Sequence, residues 1–230
     1  MKTLSLRFAA ASILLTVAMA AIAQEGDLGE APTRAILKSQ EKADAYFAKG
    51  KFDKAMSIYR DDLAPLGDKY SQYMVGYMYL AGKGVQEDAI VASAWVRLAA
   101  QRETEQYARI RDSLLALFND EQRLRSDQLY VELRKDMGDM ALVNKLIQDD
   151  MKILRLRNVP RLILEAEFER GARRYKRSDF DAAASRIVSR ISYMERQMAL
   201  EKTLDDAELE TLTTLVHEAE TEVEAYRASR

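Results

Sequence analysis

The sequence predicts an all-α fold, and three observations lead to this prediction. The 230 residues include only nine glycines and three prolines, too few for a β-sandwich or barrel, which needs a turn about every 8–12 residues. Hydrophobic residues make up 48% of the chain and charged residues 31%, so the chain can fill a core and lacks the composition of a disordered protein. Apolar residues recur at intervals of three and four, which is the period of an amphipathic helix. We therefore expect one or two helical domains.

The N-terminal residues 1–23 have the pattern of a secretory signal peptide. Two basic residues precede an uncharged, mostly apolar run over 8–23, whose end, Ala-Ile-Ala, fits the cleavage rule of small residues. The alternative is a membrane anchor, but this run of 16 residues is shorter than the roughly 20 that a spanning helix needs. The sequence contains no Cys, which excludes a lipoprotein. We expect cleavage before Gln24 and export to a bacterial periplasm, with no transmembrane segment in the mature chain.

Helices are expected to follow one another along the whole mature chain. They begin after a flexible leader over 24–33, and they are separated at glycine, proline and asparagine residues. The predicted helices cover residues 33–48, 53–64, 70–80, 87–100, 103–118, 120–135, 140–156 and 160–175. Pro65 closes the second of them, Gly138 closes the sixth, and Pro160 fits the first turn of the last.

Residues 119–230 are expected to form a C-terminal helical region that ends in an antiparallel hairpin over 178–228. Two sets of apolar residues, spaced by three and four, predict the surfaces through which the two helices of this hairpin contact each other. The first set is Phe180, Ala183, Ile187, Ile191, Met194 and Met198, and the second is Leu209, Leu212, Val216, Ala219, Val223 and Tyr226. Ser178 and Thr203 are each followed three residues later by Asp. This spacing is typical of a capping box, so it predicts where the two helices begin.

Residues 71–100 carry the most specific pattern in the sequence, that of two antiparallel helices in close contact. Gly76 and Ala92 are small and allow the backbones to approach, and Trp95 fills the space between the helices. Glycines at both ends of the turn over 82–84 permit positive φ there. The pattern is carried by Ser71, Gly76, Tyr79, Gly82, Gly84, Val85, Asp88, Ala92, Trp95, Ala99 and Ala100. This stretch closely resembles a Sel-1-like repeat, from the bacterial branch of the tetratricopeptide superfamily. It departs from that family mainly at Ser71, where the family usually has Ala.

The segment before this repeat resembles an ordinary tetratricopeptide hairpin. The packing positions of that family are matched by Ala43, Tyr46, Gly50, Phe52, Ala55 and Tyr59. Ala108 and Ser113 have the same spacing as the small residues of the repeat over 71–100, and this spacing predicts a third, degenerate unit. Whether residues 180–183 belong to a fourth repeat hairpin is left as an open alternative. The resemblance implies an αα-hairpin superhelix over 34–118, of the tetratricopeptide and Sel-1-like type, followed by the C-terminal helical hairpin.

The sequence offers little material for catalysis or for a bound metal. With no Cys and with His217 as the single His, thiol nucleophiles, thiolate zinc sites and His-rich metal clusters are excluded. The turn over 82–84 lacks the spacing of a phosphate loop, and no second His follows His217 as in a zinc protease motif. The side chains of adjacent acidic residues such as Asp149-Asp150 point about 100° apart around a helix axis, so their carboxylates do not converge on one metal ion or proton. We expect these residues on solvated faces. We therefore expect no enzymatic activity, no cofactor and no metal.

Two segments of the chain carry strong and opposite charge, although the formal net charge is only −2. Residues 152–177 hold nine basic and three acidic side chains, whereas residues 201–224 hold nine acidic and one basic. A basic stretch permits a nucleic-acid hypothesis. The export signal and the lack of any base-stacking module argue against it, so we expect no nucleic-acid partner. We expect instead that the two segments lie side by side, joined by one intervening helix.

Partner-binding residues follow from the resemblance to tetratricopeptide-like repeats. That family lines a concave groove with the first helix of each hairpin, and its groove positions fall on Gln40, Asp44, Phe47, Tyr70, Tyr73 and Tyr77. The three tyrosines also share one helix face by their spacing alone, and aromatic residues with a polar tip are enriched in protein interfaces. The alternative is that later helices cover these tyrosines as ordinary core.

The favoured function is therefore a periplasmic adaptor or scaffold that binds a protein or peptide partner and catalyses nothing. The resemblance implies a role in cell-envelope processes. The second hypothesis is a periplasmic chaperone or stress protein that binds unfolded clients. An enzyme of unknown type is a third class, for which the sequence supplies no candidate residues. The identity of the partner and the oligomeric state do not follow from the sequence.

Overall fold

The structure, a computed structural model, describes residues 33–102, 105–158 and 175–229. Over these ranges the chain is helical and contains no strand, which confirms the prediction of an all-α fold. The predicted signal peptide, the leader up to residue 32 and almost all of the helix predicted over 160–175 lie outside the described residues.

The helices of the described ranges follow the predicted order and lie close to the predicted boundaries. They are α1 (Arg34–Ala48), α2 (Phe52–Ser57), α3 (Lys69–Ala81), α4 (Ala89–Ala99), α5 (Glu105–Leu115), α6 (Asp120–Met137), α7 (Asp139–Arg155), α8 (Arg177–Leu200) and α9 (Asp206–Ala228). A π-helical segment, Ile58–Leu63, continues α2, and short 3-10 turns occur at Ala64–Leu66, Ala100–Arg102 and Leu156–Asn158. The chain divides into two compact units, of which the N-terminal one ends at Leu142 and the C-terminal one begins at Val143.

The first hairpin of the N-terminal unit consists of α1 and α2. Thr33 caps α1, because its hydroxyl accepts a hydrogen bond at 3.3 Å from the backbone nitrogen three residues on. Gly50 adopts φ +68° and turns the chain toward α2. Ala43 and Ala55 are fully buried in the core that the two helices share. Pro65 lacks a backbone N–H and follows the π-helical segment, and the chain continues through it as the 3-10 turn Ala64–Leu66.

The second hairpin consists of α3 and α4, which pack tightly against each other. Asp68 caps α3 and Asp88 caps α4, each by accepting hydrogen bonds from backbone nitrogens of the first turn, at 3.0 Å and 2.9 Å. Gly82 (φ +62°) and Gly84 (φ +72°) form the turn between the helices. Both glycines therefore have the positive φ that the sequence predicts for them.

Gly76 permits the close approach of α3 and α4. A Cβ atom at this position would lie 2.9 Å from Cγ2 of Val96 and 3.0 Å from the carbonyl oxygen of Ala92. Trp95 lies beside this contact and is buried, as expected of the residue that fills the space between the helices. Ser71 is also buried, and its hydroxyl makes no hydrogen bond within the described ranges. An Ala at this position would leave no polar atom to satisfy.

The last helices of the N-terminal unit, α5 and α6, both pack against α4. The hydroxyls of Ser93 on α4 and Ser126 on α6 lie 2.7 Å apart. The guanidinium carbon of Arg97 lies 4.3 Å from the centroid of the Tyr130 ring, so the contact between these two helices is partly polar. Ser113 is exposed, and its hydroxyl donates to a carbonyl of its own helix. It therefore does not provide the close approach expected of it in a third repeat unit.

The C-terminal unit contains the predicted antiparallel hairpin, formed by α8 and α9. Tyr226, near the end of α9, donates a hydrogen bond of 2.7 Å to the carboxylate of Asp181, near the start of α8. The central residues of both predicted apolar sets are buried: Ala183, Ile187, Ile191, Met194, Leu212, Val216, Ala219 and Val223. His217 follows a buried position and is exposed on the flank of the helix.

The caps predicted for α8 and α9 are each wrong by two residues. At the start of α8, the carboxylate of Asp179 accepts a hydrogen bond of 2.7 Å from the backbone nitrogen of Lys176. At the start of α9, Asp205 and Glu208 form a capping box with reciprocal hydrogen bonds of 2.8 Å and 3.2 Å. The hydroxyl of Thr203 donates to Glu201 Oε1 at 2.6 Å within the turn between the two helices, and Asp205 takes the capping position of α9.

The described part of the basic segment lies beside the acidic helix α9. Glu222 of α9 accepts a hydrogen bond from Nε of Arg155 at 3.3 Å and pairs closely with Arg157. The prediction that the two segments lie side by side is confirmed for these residues. Positions 159–174 of the basic segment lie outside the described residues.

Candidate functional site

The candidate site lies where α1 faces α3 in the N-terminal unit. Five of the six residues predicted for partner binding meet there, and we call them the α1–α3 seam: Gln40, Asp44, Phe47, Tyr70 and Tyr77. The three seam residues of α1 are spaced by four and three positions, so they share one face of that helix. Each of them contacts α3 or its capping residue. The seam has a polar half and an aromatic half.

The polar half joins three segments of the chain through hydrogen bonds. Gln40 Nε2 donates to Asp68 Oδ1 at 2.7 Å and ties α1 to the cap of α3. Asp44 Oδ1 accepts from Tyr59 OH at 2.5 Å and from Tyr70 OH at 2.8 Å. Tyr59 belongs to the π-helical segment after α2 and is fully buried. The sequence identified Tyr59 only as a packing residue, because nothing in its spacing shows that its hydroxyl reaches Asp44.

The two tyrosine hydroxyls of the polar half act as hydrogen-bond donors at neutral pH. Burial raises the pKa values of Tyr59 and Tyr70 well above the usual tyrosine range, and the neighbouring Asp44 carboxylate raises them further. Both hydroxyls therefore keep their protons and point them at the same carboxylate oxygen. This arrangement fixes the orientation of the Asp44 side chain.

The aromatic half contains rings from α1, α2 and α3. The ring centroids of Phe47 and Tyr77 lie 5.9 Å apart, and those of Phe47 and Phe52 lie 5.3 Å apart in an edge-to-face arrangement. Lys83 Nζ lies 5.1 Å from the centroid of the Phe52 ring. Phe47 and Tyr77 are half-buried. Part of each ring is therefore anchored in the protein, and part is accessible to a partner.

The sixth predicted residue, Tyr73, is part of the core. Its side chain is only 1% exposed, and its ring centroid lies 5.4 Å from that of Tyr107 on α5. Burial also raises its pKa. The expectation that Tyr73 lines an accessible groove is wrong, and the alternative of an ordinary core residue holds for it. Helical spacing shows which face a residue occupies, but it does not show that α5 covers this part of the face.

A buried ionic cluster in the same unit had no signal in the sequence. Lys69 Nζ lies 2.9 Å from Asp139 Oδ1, and Arg102 contacts both carboxylate oxygens, through Nε at 3.1 Å and Nη2 at 3.2 Å. Lys69 and Asp139 are each only 1% exposed. We call these three residues the Lys69–Arg102–Asp139 cluster. It joins the starts of α3 and α7 to the 3-10 turn that follows α4, so it acts on stability and presents no accessible site.

A second ionic cluster lies in the C-terminal unit. Asp150 accepts hydrogen bonds from Arg186 at 2.5 Å and 3.0 Å, and it pairs closely with Arg190. Asp150 and Arg190 are both buried. The expectation that the adjacent residues Asp149 and Asp150 lie on solvated faces is therefore wrong for Asp150. Its arginine partners lie about 40 positions away along the chain and could not be identified from charge pattern alone.

Neither a metal centre nor a membrane span is found in the described ranges. No three His, Asp or Glu side chains in these ranges are placed to hold a metal ion together. None of the helices in them is both long and apolar enough to cross a bilayer. Comparisons with protein-family models, curated proteins and solved structures gave no match to this chain. Within the described residues, the α1–α3 seam is therefore the candidate functional site.

Proposed function

We propose that the chain is a non-catalytic protein–protein interaction module, an adaptor or scaffold that holds a protein or peptide partner against the α1–α3 seam. The observation that carries this proposal is the meeting of five predicted partner-binding residues at one partly exposed surface. Phe47 and Tyr77 suit such a surface. Rigid aromatic side chains bury a large apolar area with little loss of conformational entropy.

The repeat architecture of this module is also a proposal, in which consecutive hairpins are of the tetratricopeptide and Sel-1-like type. Burial at the packing positions supports it in the first hairpin, where Ala43, Ala55 and Tyr59 are all fully buried. In the second hairpin, Gly76 and Trp95 occupy the close contact between the helices. In such an arrangement α1 and α3 are the first helices of two successive repeats, and their facing surfaces line the binding groove.

The proposed setting is the bacterial periplasm, in a cell-envelope process. The signal-peptide pattern over 1–23 supports this setting. The proposal that the protein catalyses nothing is supported by the lack of Cys and by the exposed position of the single His, His217. A chaperone that binds unfolded clients is the second hypothesis. The two differ in the number of partners they retain.

Tyr77→Ala tests the interaction surface. We expect it to weaken retention of the partner by about 2 kcal/mol, roughly thirtyfold, because it removes an aromatic anchor from the aromatic half of the seam. The measurement is capture from periplasmic extract by the mature chain, with the melting temperature of each variant recorded alongside. Leu124→Ala, at an exposed position of α6 outside the seam, is the matched control and should retain the partner.

The outcome of this capture also separates the two hypotheses. One partner in fixed stoichiometry supports an adaptor, whereas many unrelated clients support a chaperone. Equal retention by Tyr77→Ala and by the unchanged protein would show that the seam is not the binding surface.

A further inference from the structure

Asp44 keeps one carboxylate oxygen open inside the α1–α3 seam. Its Oδ1 accepts both tyrosine hydroxyls, at 2.5 Å and 2.8 Å. Its Oδ2 has no hydrogen-bond or ion-pair partner within the described ranges, and the residue is exposed. A partner can therefore reach Oδ2 from solvent without displacing any contact made by a described residue.

The orientation of this open oxygen is fixed before a partner binds. The rings of Tyr59 and Tyr70 pack edge to face with centroids 6.2 Å apart, and Tyr59 is fully buried. Both hydroxyls hold Oδ1 from the protein side, so the carboxylate cannot rotate freely. A preorganised acceptor of this kind loses less conformational entropy on binding than an ordinary surface carboxylate.

The aromatic half of the seam adds a surface that attracts cations. Phe47 lies three positions after Asp44 on the same helix face and contacts Tyr77 and Phe52. The face of an aromatic ring attracts a cation within about 6 Å of its centroid. The chain already uses this interaction here, because the ammonium of Lys83 lies 5.1 Å from the Phe52 centroid. A cation bound to Asp44 Oδ2 would therefore have ring surface beside it.

The single open oxygen discriminates between the two common cationic side chains. A carboxylate oxygen has about two lone-pair sites, and the tyrosine hydroxyls fill those of Asp44 Oδ1. Arginine forms its strongest carboxylate pairs through two parallel hydrogen bonds, one to each oxygen. The ammonium of lysine is a compact charge that needs only one oxygen. We infer that the seam binds a lysine side chain of the partner, between Asp44 Oδ2 and the rings of Phe47 and Tyr77. This inference depends on the proposed function, in which a partner docks on the seam.

The test uses two defined peptides, acetyl-Gly-Lys-Gly-amide and its arginine counterpart, titrated into the isotope-labelled mature chain and followed by NMR. We expect the lysine peptide to shift the amide resonances of Asp44, Phe47 and Tyr77. It should bind about three times more tightly than the arginine peptide, because the guanidinium loses one of its two hydrogen bonds. Asp44→Asn should abolish these shifts. Glu121→Gln, which makes the same charge change at an exposed position of α6, should leave them unchanged.

Tyr70→Phe provides a second, independent test of the single open oxygen. The variant keeps the aromatic ring but removes one hydroxyl from Asp44 Oδ1. A guanidinium could then reach both oxygens, so we expect the preference for the lysine peptide to disappear or reverse. An unchanged preference in this variant would mean that the occupied Oδ1 is not the cause of the preference, and that result would overturn the inference. Equal binding of the two peptides to the unchanged protein, or no shift of the three resonances at millimolar peptide, would also overturn it.

The inference and the proposed function fail in different ways. If Asp44→Asn retains the partner while Tyr77→Ala loses it, the lysine inference is overturned and the interaction module stands. If Tyr77→Ala retains the partner, the proposed function itself is overturned.

Discussion

At the scale of single residues, the Lys69–Arg102–Asp139 cluster makes the N-terminal unit sensitive to one substitution. Asp139→Asn would leave two buried or nearly buried cations without their carboxylate. Breaking a buried ion pair in this way typically costs about 3–5 kcal/mol, because a buried charge remains uncompensated. We expect a loss of that size in the free energy of unfolding, measured by urea denaturation at pH 7. Asp136→Asn, an exposed position on α6, is the control and should change stability by at most about 0.5 kcal/mol.

The carboxylate of Asp139 makes this decrease in the free energy of unfolding depend on pH. Burial alone would raise the pKa of Asp139, but the charges of Lys69 and Arg102 outweigh it, so the pKa lies below its usual value. A carboxyl group with a lowered pKa stabilises the folded state above its unfolded pKa of about 4, and this contribution is lost as the pH falls through the folded value. The stability difference between the unchanged protein and Asp139→Asn should therefore be largest near neutral pH and shrink below about pH 4. A difference that stays constant on acidification would contradict the ion pairing.

At the scale of elements, the contact between α3 and α4 depends on one large and one small residue. Trp95 is buried beside Gly76, where the two backbones approach closely. Trp95→Ala should lower the free energy of unfolding by about 3–5 kcal/mol, as large core truncations do. Leu117→Ala, at an exposed position after α5, serves as the control in the same denaturation experiment. A near-neutral result for Trp95→Ala would place the ring at the surface and contradict the close packing of the hairpin.

The helices and turns of this fold could be predicted where the residues that determine them lie close together in the sequence. Gly82 and Gly84 mark a turn through their own backbone chemistry, so the positive φ of both could be predicted without a structure. Asp139 could not be assigned its role, because its partner Lys69 lies 70 positions earlier and only folding brings them together. Tyr73 shows the same limit within the site. Its helix face follows from spacing, but its burial depends on α5.

At the scale of the whole molecule, the chain divides into two compact units, and the proposed binding surface and the C-terminal hairpin belong to different ones. The α1–α3 seam lies entirely in the N-terminal unit, which ends at Leu142. Each unit has its own fully buried apolar side chains, such as Leu98 in the N-terminal unit and Ile187 in the C-terminal one. Local opening of a protein follows such cooperative units. Loosening the C-terminal unit should therefore leave the seam intact.

Ile187→Ala tests this separation directly. Removing a fully buried Ile should cost about 2–5 kcal/mol, and we expect faster amide hydrogen exchange across α8 and α9 with unchanged exchange in α1 to α4. Partner retention should also be unchanged, because the seam residues keep their contacts. Leu98→Ala is the matched variant, and it should accelerate exchange in α1 to α4 while leaving α8 and α9 protected. If either substitution accelerates exchange in both units alike, the molecule unfolds as one cooperative body. In that case a loss of binding in any core variant would report on overall stability rather than on the seam.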